Sequence, residues 1–290
     1  MTIYEKKELD LLAAKIRLQS IISMASYGSG HAGGVLSLAE AMAVLYGKVM
    51  HYDSANPQME DRDRLVLSKG HCGPVLYAVL ALEGFFPLEM LKTLNANGGN
   101  LPSHSNMHKT PGVDISTGSL GQGSSLAAGI ALGMRLRDIQ RFTYLILGDG
   151  ECDEGQVWEA ALFAAQRGLG NLIGFVDWNH QQLDGYTDGI CGLGDLERKF
   201  MDFGWDSRTI PGHDVEAVYD AVVSAQAVKD KPSMIILDTV KGKGWSLTEG
   251  KPNVHHITIS PEQLTEAENE IGTVIRNLEK ETAAARQGNL

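Results

Sequence analysis

The chain has 290 residues, 43% of them hydrophobic, with 25 Lys plus Arg against 36 Asp plus Glu and a formal net charge of −11. That apolar content supports a large buried core and excludes a disordered or fibrous chain, while the acidic balance argues against nucleic acid or an anionic membrane surface as partners. Met1 to Asp10 is already charged and no apolar run approaches the roughly 20 residues that cross a bilayer, so a cytoplasmic location is expected. Cys72, Cys152 and Cys191 form no C-x-x-C pair and read as reduced thiols.

Residues 9 to 26 repeat apolar positions at helical spacing and stop at the glycines of YGSGHAGG, which predicts a helix entering a flexible loop. Ser37 stands three residues before Glu40, a capping-box arrangement that predicts a second helix over AMAVLYGKVM. Four short aliphatic runs follow: LVLS at 65, FTYLILG at 142, NLIGFVDW at 171 and MIILDTV at 234. They lack polar alternation and are separated by helical segments, as parallel strands covered on both faces require. Ser260, Pro261 and Gln263 open a final polar helix running towards residue 287. The expected fold class is therefore α/β, one domain over 1–290, with a mostly parallel sheet, an N-terminal helix and a C-terminal helical tail.

In an open parallel sheet, ligands bind beyond the carboxyl ends of the strands. Two of those loops carry unusual chemistry: Gly148-Asp149-Gly150-Glu151 after the second run, and Asn179-His180-Gln181 after the third. Asp149 and Asn179 lie 30 residues apart, a strand-helix-strand unit that brings both to one sheet edge. A carboxylate, an amide oxygen and a main-chain carbonyl form a hard oxygen set suited to Mg²⁺. The flanking glycines let backbone approach a diphosphate, and helix N-termini add N–H donors.

Gly-Asp-Gly followed about 30 residues later by Asn resembles the signature of thiamine-diphosphate enzymes. SGH at 29, LSKGH at 67, TPG at 110, STGSLGQG at 116 and GKG at 242 resemble, in order and spacing, the N-terminal domain of the transketolase family over nearly the whole chain. The resemblance implies the thiamine-diphosphate-binding fold, with Mg²⁺ (or Ca²⁺ or Mn²⁺ in its place) held by Asp149, Asn179 and the Gln181 carbonyl. It implies that Gly150 and His71 meet the diphosphate region, that Gly118, Ser119 and Leu120 form the cofactor loop, and that Asn179, Leu183 and His255 also touch the cofactor. Glu154 matches a glutamate of the dimer-interface network.

The family reaction moves a two-carbon ketol unit from a ketose phosphate to an aldose. It needs a proton taken from the donor C3 hydroxyl and one returned to the new alkoxide, work that suits imidazoles. By resemblance His31 and His255 relay those protons and His104 binds the donor C1 hydroxyl, whereas His51, His108 and His213 read as surface or capping residues. His255 and His256 are adjacent, and in an extended segment only one aims inward; His255 is preferred. The sequence departs from the family in His31-Ala32-Gly33, where His-Pro-Gly is usual, and in SHSN around His104, departures that touch the substrate side more than the cofactor side.

The chain ends at Leu290, before any counterpart of the family's pyrimidine and C-terminal domains. The resemblance thus implies a complementary subunit carrying both, in a heterotetramer acting on sugar phosphates. Two relatives of this reading stay open: the α subunit of a 2-oxo acid dehydrogenase, and a specialised sugar-catabolic transketolase with a non-standard ketose phosphate. A 1-deoxyxylulose 5-phosphate synthase shares several motifs but is normally one long chain. A nicotinamide dehydrogenase reading of Gly28-x-Gly30-x-x-Gly33 is weak, since these glycines follow a predicted helix instead of a strand. A non-catalytic regulatory subunit is disfavoured by the retained Asp149, Asn179 and histidines.

Overall fold

A computed structural model describes residues 1–288, so the last two residues of the expected 1–290 span lie outside the described residues. Five strands form one sheet: β1 (Arg64–Leu67), β2 (Thr143–Gly148), β3 (Leu172–Trp178), β4 (Asp206–Pro211) and β5 (Ser233–Asp238). Their spatial order is β1-β2-β3-β5-β4 and every pairing is parallel. The register sets Gly148 opposite Asp177, and Asp177 opposite Leu237, so the loops after β2, β3 and β5 leave from one edge.

Alternate side chains of each strand serve two cores, as the two-residue period demands. Tyr144, Ile146, Ile173, Phe175, Ile235 and Leu237 pack against the helices Ile3–Tyr27, Ala39–Val44, Gly73–Leu82 and Val215–Ala227. On the opposite face Leu145, Leu147, Leu172, Val176, Met234 and Ile236 meet the helices Gln122–Leu136, Gly155–Gln166 and Leu196–Asp202. Three of the four aliphatic runs are the inner strands β2, β3 and β5, and the fourth is the edge strand β1, which is nonetheless largely buried. β4 escaped the sequence reading because DSRTIP is an edge strand with half its side chains outward and a terminal Pro, the one place where Pro does not cost a ladder bond.

The first helix, Ile3–Tyr27, begins six residues before the expected repeat at residue 9, opened by a Thr2–Glu5 capping box, and stops at Gly28 in the left-handed region. The final helix, Pro261–Arg286, carries the expected Ser260–Gln263 capping box and lies along the first, joined by Lys7–Glu281 at 2.6 Å and Lys15–Glu279 at 3.3 Å.

The expected Ser37–Glu40 capping box is not formed. The helix Ala39–Val44 starts at Leu38 without a side-chain cap. Ser37 instead donates to Asp177 Oδ2 at 2.6 Å, and Glu40 is drawn into a buried pair with Arg17 Nη2 (2.6 Å to Oε2) and His213 Nδ1 (3.0 Å). Ionised partners outbid a neutral cap for both side chains.

Candidate active site

A cleft of about 290 Å³ opens at the carboxyl edge of the sheet. The loops at the ends of four of the five strands contribute to it: Lys69 and His71 after β1, Gly148 to Glu151 at the end of β2, Asn179, Gln181, Gln182 and Leu183 after β3, and Lys241 with His255 after β5. His31 enters from the loop after the first helix, and His104, Gly118 and Leu120 from the long β1–β2 connection. The segment Ser29–Gly30 pairs with Ile257–Thr258, which clips the His31 loop to the one bearing His255.

One corner gathers oxygens. Asp149 is 2% exposed; its Oδ1 accepts from Gly150 N at 2.8 Å and Oδ2 from Thr187 Oγ1 at 3.3 Å. Burial, and then the nearby Asp177 charge, push its carboxyl up to about 6. His180, at φ 65°, bends the chain so that Gln181 N donates to Asn179 Oδ1 at 3.3 Å. The Gln181 carbonyl accepts from Lys241 Nζ at 2.8 Å, and the same ammonium reaches the Gln182 carbonyl at 3.2 Å and His255 Nδ1 at 3.3 Å. Burial lowers Lys241 to about 8.

The opposite wall is imidazole. The His31 ring centroid lies 5.0 Å from His71, 6.2 Å from His104, 5.4 Å from His255 and 4.7 Å from His256, and His71 lies 5.1 Å from His255. Burial is the main cause that lowers His31 to about 4, His71 to about 2 and His255 to about 3. Neighbouring Lys69, Lys241 and the other rings add to it. A cluster this dense stays neutral because a charge on one ring would have to be lost from water without a counter-ion.

Most of the residues singled out from sequence line this cleft, among them His31, His71, His104, Gly118, Leu120, Asp149, Gly150, Asn179, Gln181, Leu183 and His255. Ser119 does not; it faces a separate shallow recess with Ser116 and Gln122. Glu154 is exposed and stands beside Gly121, outside the cleft. The chain bends at residues 255 and 256, so the extended geometry that allowed only one inward ring does not hold. Both rings meet His31, with His255 on the cleft wall and His256 outward and exposed. His213 is half-buried and caps backbone, its Nε2 accepting from Val240 N at 2.8 Å behind the Lys241 loop.

Sequence reasoning passed over four charged groups that build the floor: Lys69, Glu151, Asp177 and Lys241. Lys69 sits inside the SKGH segment and Lys241 immediately precedes GKG, next to residues that were read. Glu151 accepts from Gly148 N at 3.1 Å, Gly121 N at 2.8 Å and Ser68 Oγ, tying the ends of β1 and β2 to the helix after the Gly118 loop. The only signal was a charge inside or against an apolar run, a pattern that also fits any strand end.

The residues fit a divalent cation with a diphosphate. Among the described residues no group of three His, Cys, Asp or Glu side chains could hold a metal, so an ion at this corner takes Asp149 with amide and carbonyl oxygens, a hard set. Among the described residues the buried Asp149 carboxylate has no ion pair, its oxygens accepting from Gly150 N and Thr187 Oγ1, and Lys241 supplies a cation nearby. Backbone is bare at Gly150 and Gly118, where a Cβ would come within 2.8 Å of Gln182 Cβ and 3.3 Å of His104 Cδ2, leaving room only for close main-chain approach.

A parallel sheet sandwiched by helices, with this corner at its carboxyl edge, is the thiamine-diphosphate-binding fold. The family model described as transketolase, thiamine diphosphate binding domain, matches residues 9–279. A 6-deoxy-6-sulfo-D-fructose transketolase subunit of Clostridium sp. (strain MSTE9) is 47% identical over 96% of this chain and 99% of its own length. An apulose-4-phosphate transketolase subunit of Phocaeicola vulgatus is 35% identical, covering 94% and 97%. Transketolase from Pichia stipitis, solved as a variant with fructose 6-phosphate, superposes with a TM-score of 0.85 at 29% identity, over 97% of this chain and 45% of that one. The chain belongs to the transketolase family. It spans less than half the length of the solved transketolases and nearly the full length of relatives that are named as subunits.

Proposed function

We propose that this chain is the cofactor-binding subunit of a thiamine-diphosphate-dependent transketolase, which moves a two-carbon ketol unit from a ketose to an aldose together with a complementary subunit. The observation that carries the reading is one cleft in which the oxygens of Asp149, Asn179 and Gln181 stand across from four imidazoles.

Asp149, Asn179 and the Gln181 carbonyl hold Mg²⁺, for which Ca²⁺ or Mn²⁺ can stand in, and Lys241 gives up its carbonyl contacts to face the diphosphate with His71 and the Gly150 backbone. Gly118, Ser119 and Leu120 carry the ring-binding loop, and Leu183 adds an apolar contact. Bound thiamine diphosphate supplies a nucleophilic carbon and an electron sink for the two-carbon fragment. His31 and His255, held neutral by burial, accept the proton of the donor C3 hydroxyl; their low basicity makes its return to the acceptor oxygen downhill. His104 holds the donor C1 hydroxyl.

The reading includes a partner because apolar side chains stand open at the cleft mouth, Leu120 at 37% and Leu183 at 63% exposure, and because the near-full-length relatives are named as subunits. The partner carries the pyrimidine and C-terminal domains, in a heterotetramer in the cytoplasm with Glu154 at an interface.

The donor class follows from a second observation. Identity is 47% to the 6-deoxy-6-sulfo-D-fructose transketolase subunit but 37% to Escherichia coli transketolase 2, and the sequence departs from the family around His31 and His104. A ketose with a terminal sulfonate is therefore favoured over the ordinary pentose phosphates. Transfer by the two-subunit mixture should be measured with 6-deoxy-6-sulfofructose, fructose 6-phosphate and xylulose 5-phosphate as donors. A specificity constant about tenfold higher for the sulfonate is expected. Higher values for either phosphate would return the chain to pentose phosphate chemistry.

A further inference from the structure

Beneath the cleft lining lies a carboxylate to which neither the motifs nor the family match gives a role. Asp177, next to last in β3, is 0% exposed. Its Oδ2 accepts from Ser37 Oγ at 2.6 Å, from Asn179 Nδ2 at 2.9 Å and from Lys69 Nζ; its Oδ1 accepts from Thr239 Oγ1 at 2.6 Å. An ammonium and three further donors around one carboxylate keep it ionised.

That has a consequence for its neighbour. An ionised carboxylate can only accept, so the Asn179 atom facing it must be the amide nitrogen. The amide oxygen is thereby turned the other way, where it lies 3.3 Å from Gln181 N. The Asp177 backbone carbonyl also accepts from Asp149 N at 3.2 Å. One residue thus holds two parts of the oxygen corner, the Asn179 side chain through its carboxylate and the Asp149 backbone through its main chain.

We infer that Asp177 is a positioning residue for the cation, setting the Asn179 amide oxygen and the Asp149 backbone in place before the ion arrives. The inference rests on the cofactor reading above. A mere counter-charge for Lys69 would need neither the Asn179 bond nor the two hydroxyls. The two roles differ in what they do to metal preference. Mg²⁺ demands near-ideal octahedral geometry whereas Ca²⁺ tolerates irregular ligands, so a loosened corner penalises Mg²⁺ selectively.

The test is a calorimetric titration of thiamine diphosphate into the full chain mixed with its complementary subunit, at graded Mg²⁺ and, separately, graded Ca²⁺. If the wild type binds the cofactor with neither ion, the functional reading itself fails and takes the inference with it. If the wild type binds, Asp177→Asn is expected to raise the half-saturating Mg²⁺ by roughly tenfold or more, and the half-saturating Ca²⁺ by less than about threefold. A folded Asp177→Asn protein with an unchanged Mg²⁺ requirement, or with equal rises for both ions, overturns the inference. Should that variant not fold, Thr239→Val removes the donor on Oδ1 and leaves the Lys69 pair in place. It is expected to raise the Mg²⁺ requirement about threefold, and no change there overturns the inference equally.

Discussion

His31, His71 and His255 crowd within 5.4 Å of one another, centroid to centroid, and burial keeps all three below the ordinary histidine range. Between about pH 6.5, where an unfolded histidine titrates, and the folded values near 4, 2 and 3, the unfolded chain binds more protons. Stability is therefore level above pH 6.5 and falls as the pH drops through that window. Imidazole NMR should show these three rings without titration between pH 8 and 5.5, and thermal unfolding should move to lower temperature over the same decrease. A ring among them that titrates near 6.5 would contradict the neutral cluster. That these histidines share a site was legible in their motifs. The bend at 255 and 256 was not, because adjacent histidines carry no signal of local backbone direction.

At the scale of elements, strands were legible where the side chains are buried and apolar, even at the sheet edge in β1, and β4 was not because its side chains alternate outward and it ends in Pro. Ser37 shows a local signal defeated from a distance: its hydroxyl bonds Asp177, 140 residues away, and no local capping rule could foresee that acceptor. The loop bearing Lys241 depends on Gly242, at φ 74°, where a Cβ would come 2.6 Å from the Thr248 carbonyl oxygen. Gly242→Ala is expected to cost about 1–3 kcal/mol in denaturant unfolding and to weaken cofactor binding by displacing Lys241. A variant with wild-type stability and affinity would show that the loop adapts freely and that Lys241 is not held there by the backbone.

For the whole molecule, the two-faced sheet explains why chemistry collects at one edge. Parallel strands end together, and their loops bring residues far apart in sequence, from His31 to His255, around one cleft. The oxygen corner was readable because the Gly-Asp-Gly and Asn motifs carry their own spacing. The buried floor of Lys69, Glu151, Asp177 and Lys241 was not, since a charge beside a strand acquires meaning only when the strands are ordered β1-β2-β3-β5. The most direct measurement is ketol transfer to an aldehyde acceptor by this chain and its complementary partner, with thiamine diphosphate and Mg²⁺, each of the two proteins tested singly as the control. Transfer only in the mixture, reduced at least about a hundredfold by Asp149→Ala and stopped by chelation, is the result predicted. Transfer that survives Asp149→Ala, or a folded mixture that neither binds the cofactor nor transfers, would contradict the assignment.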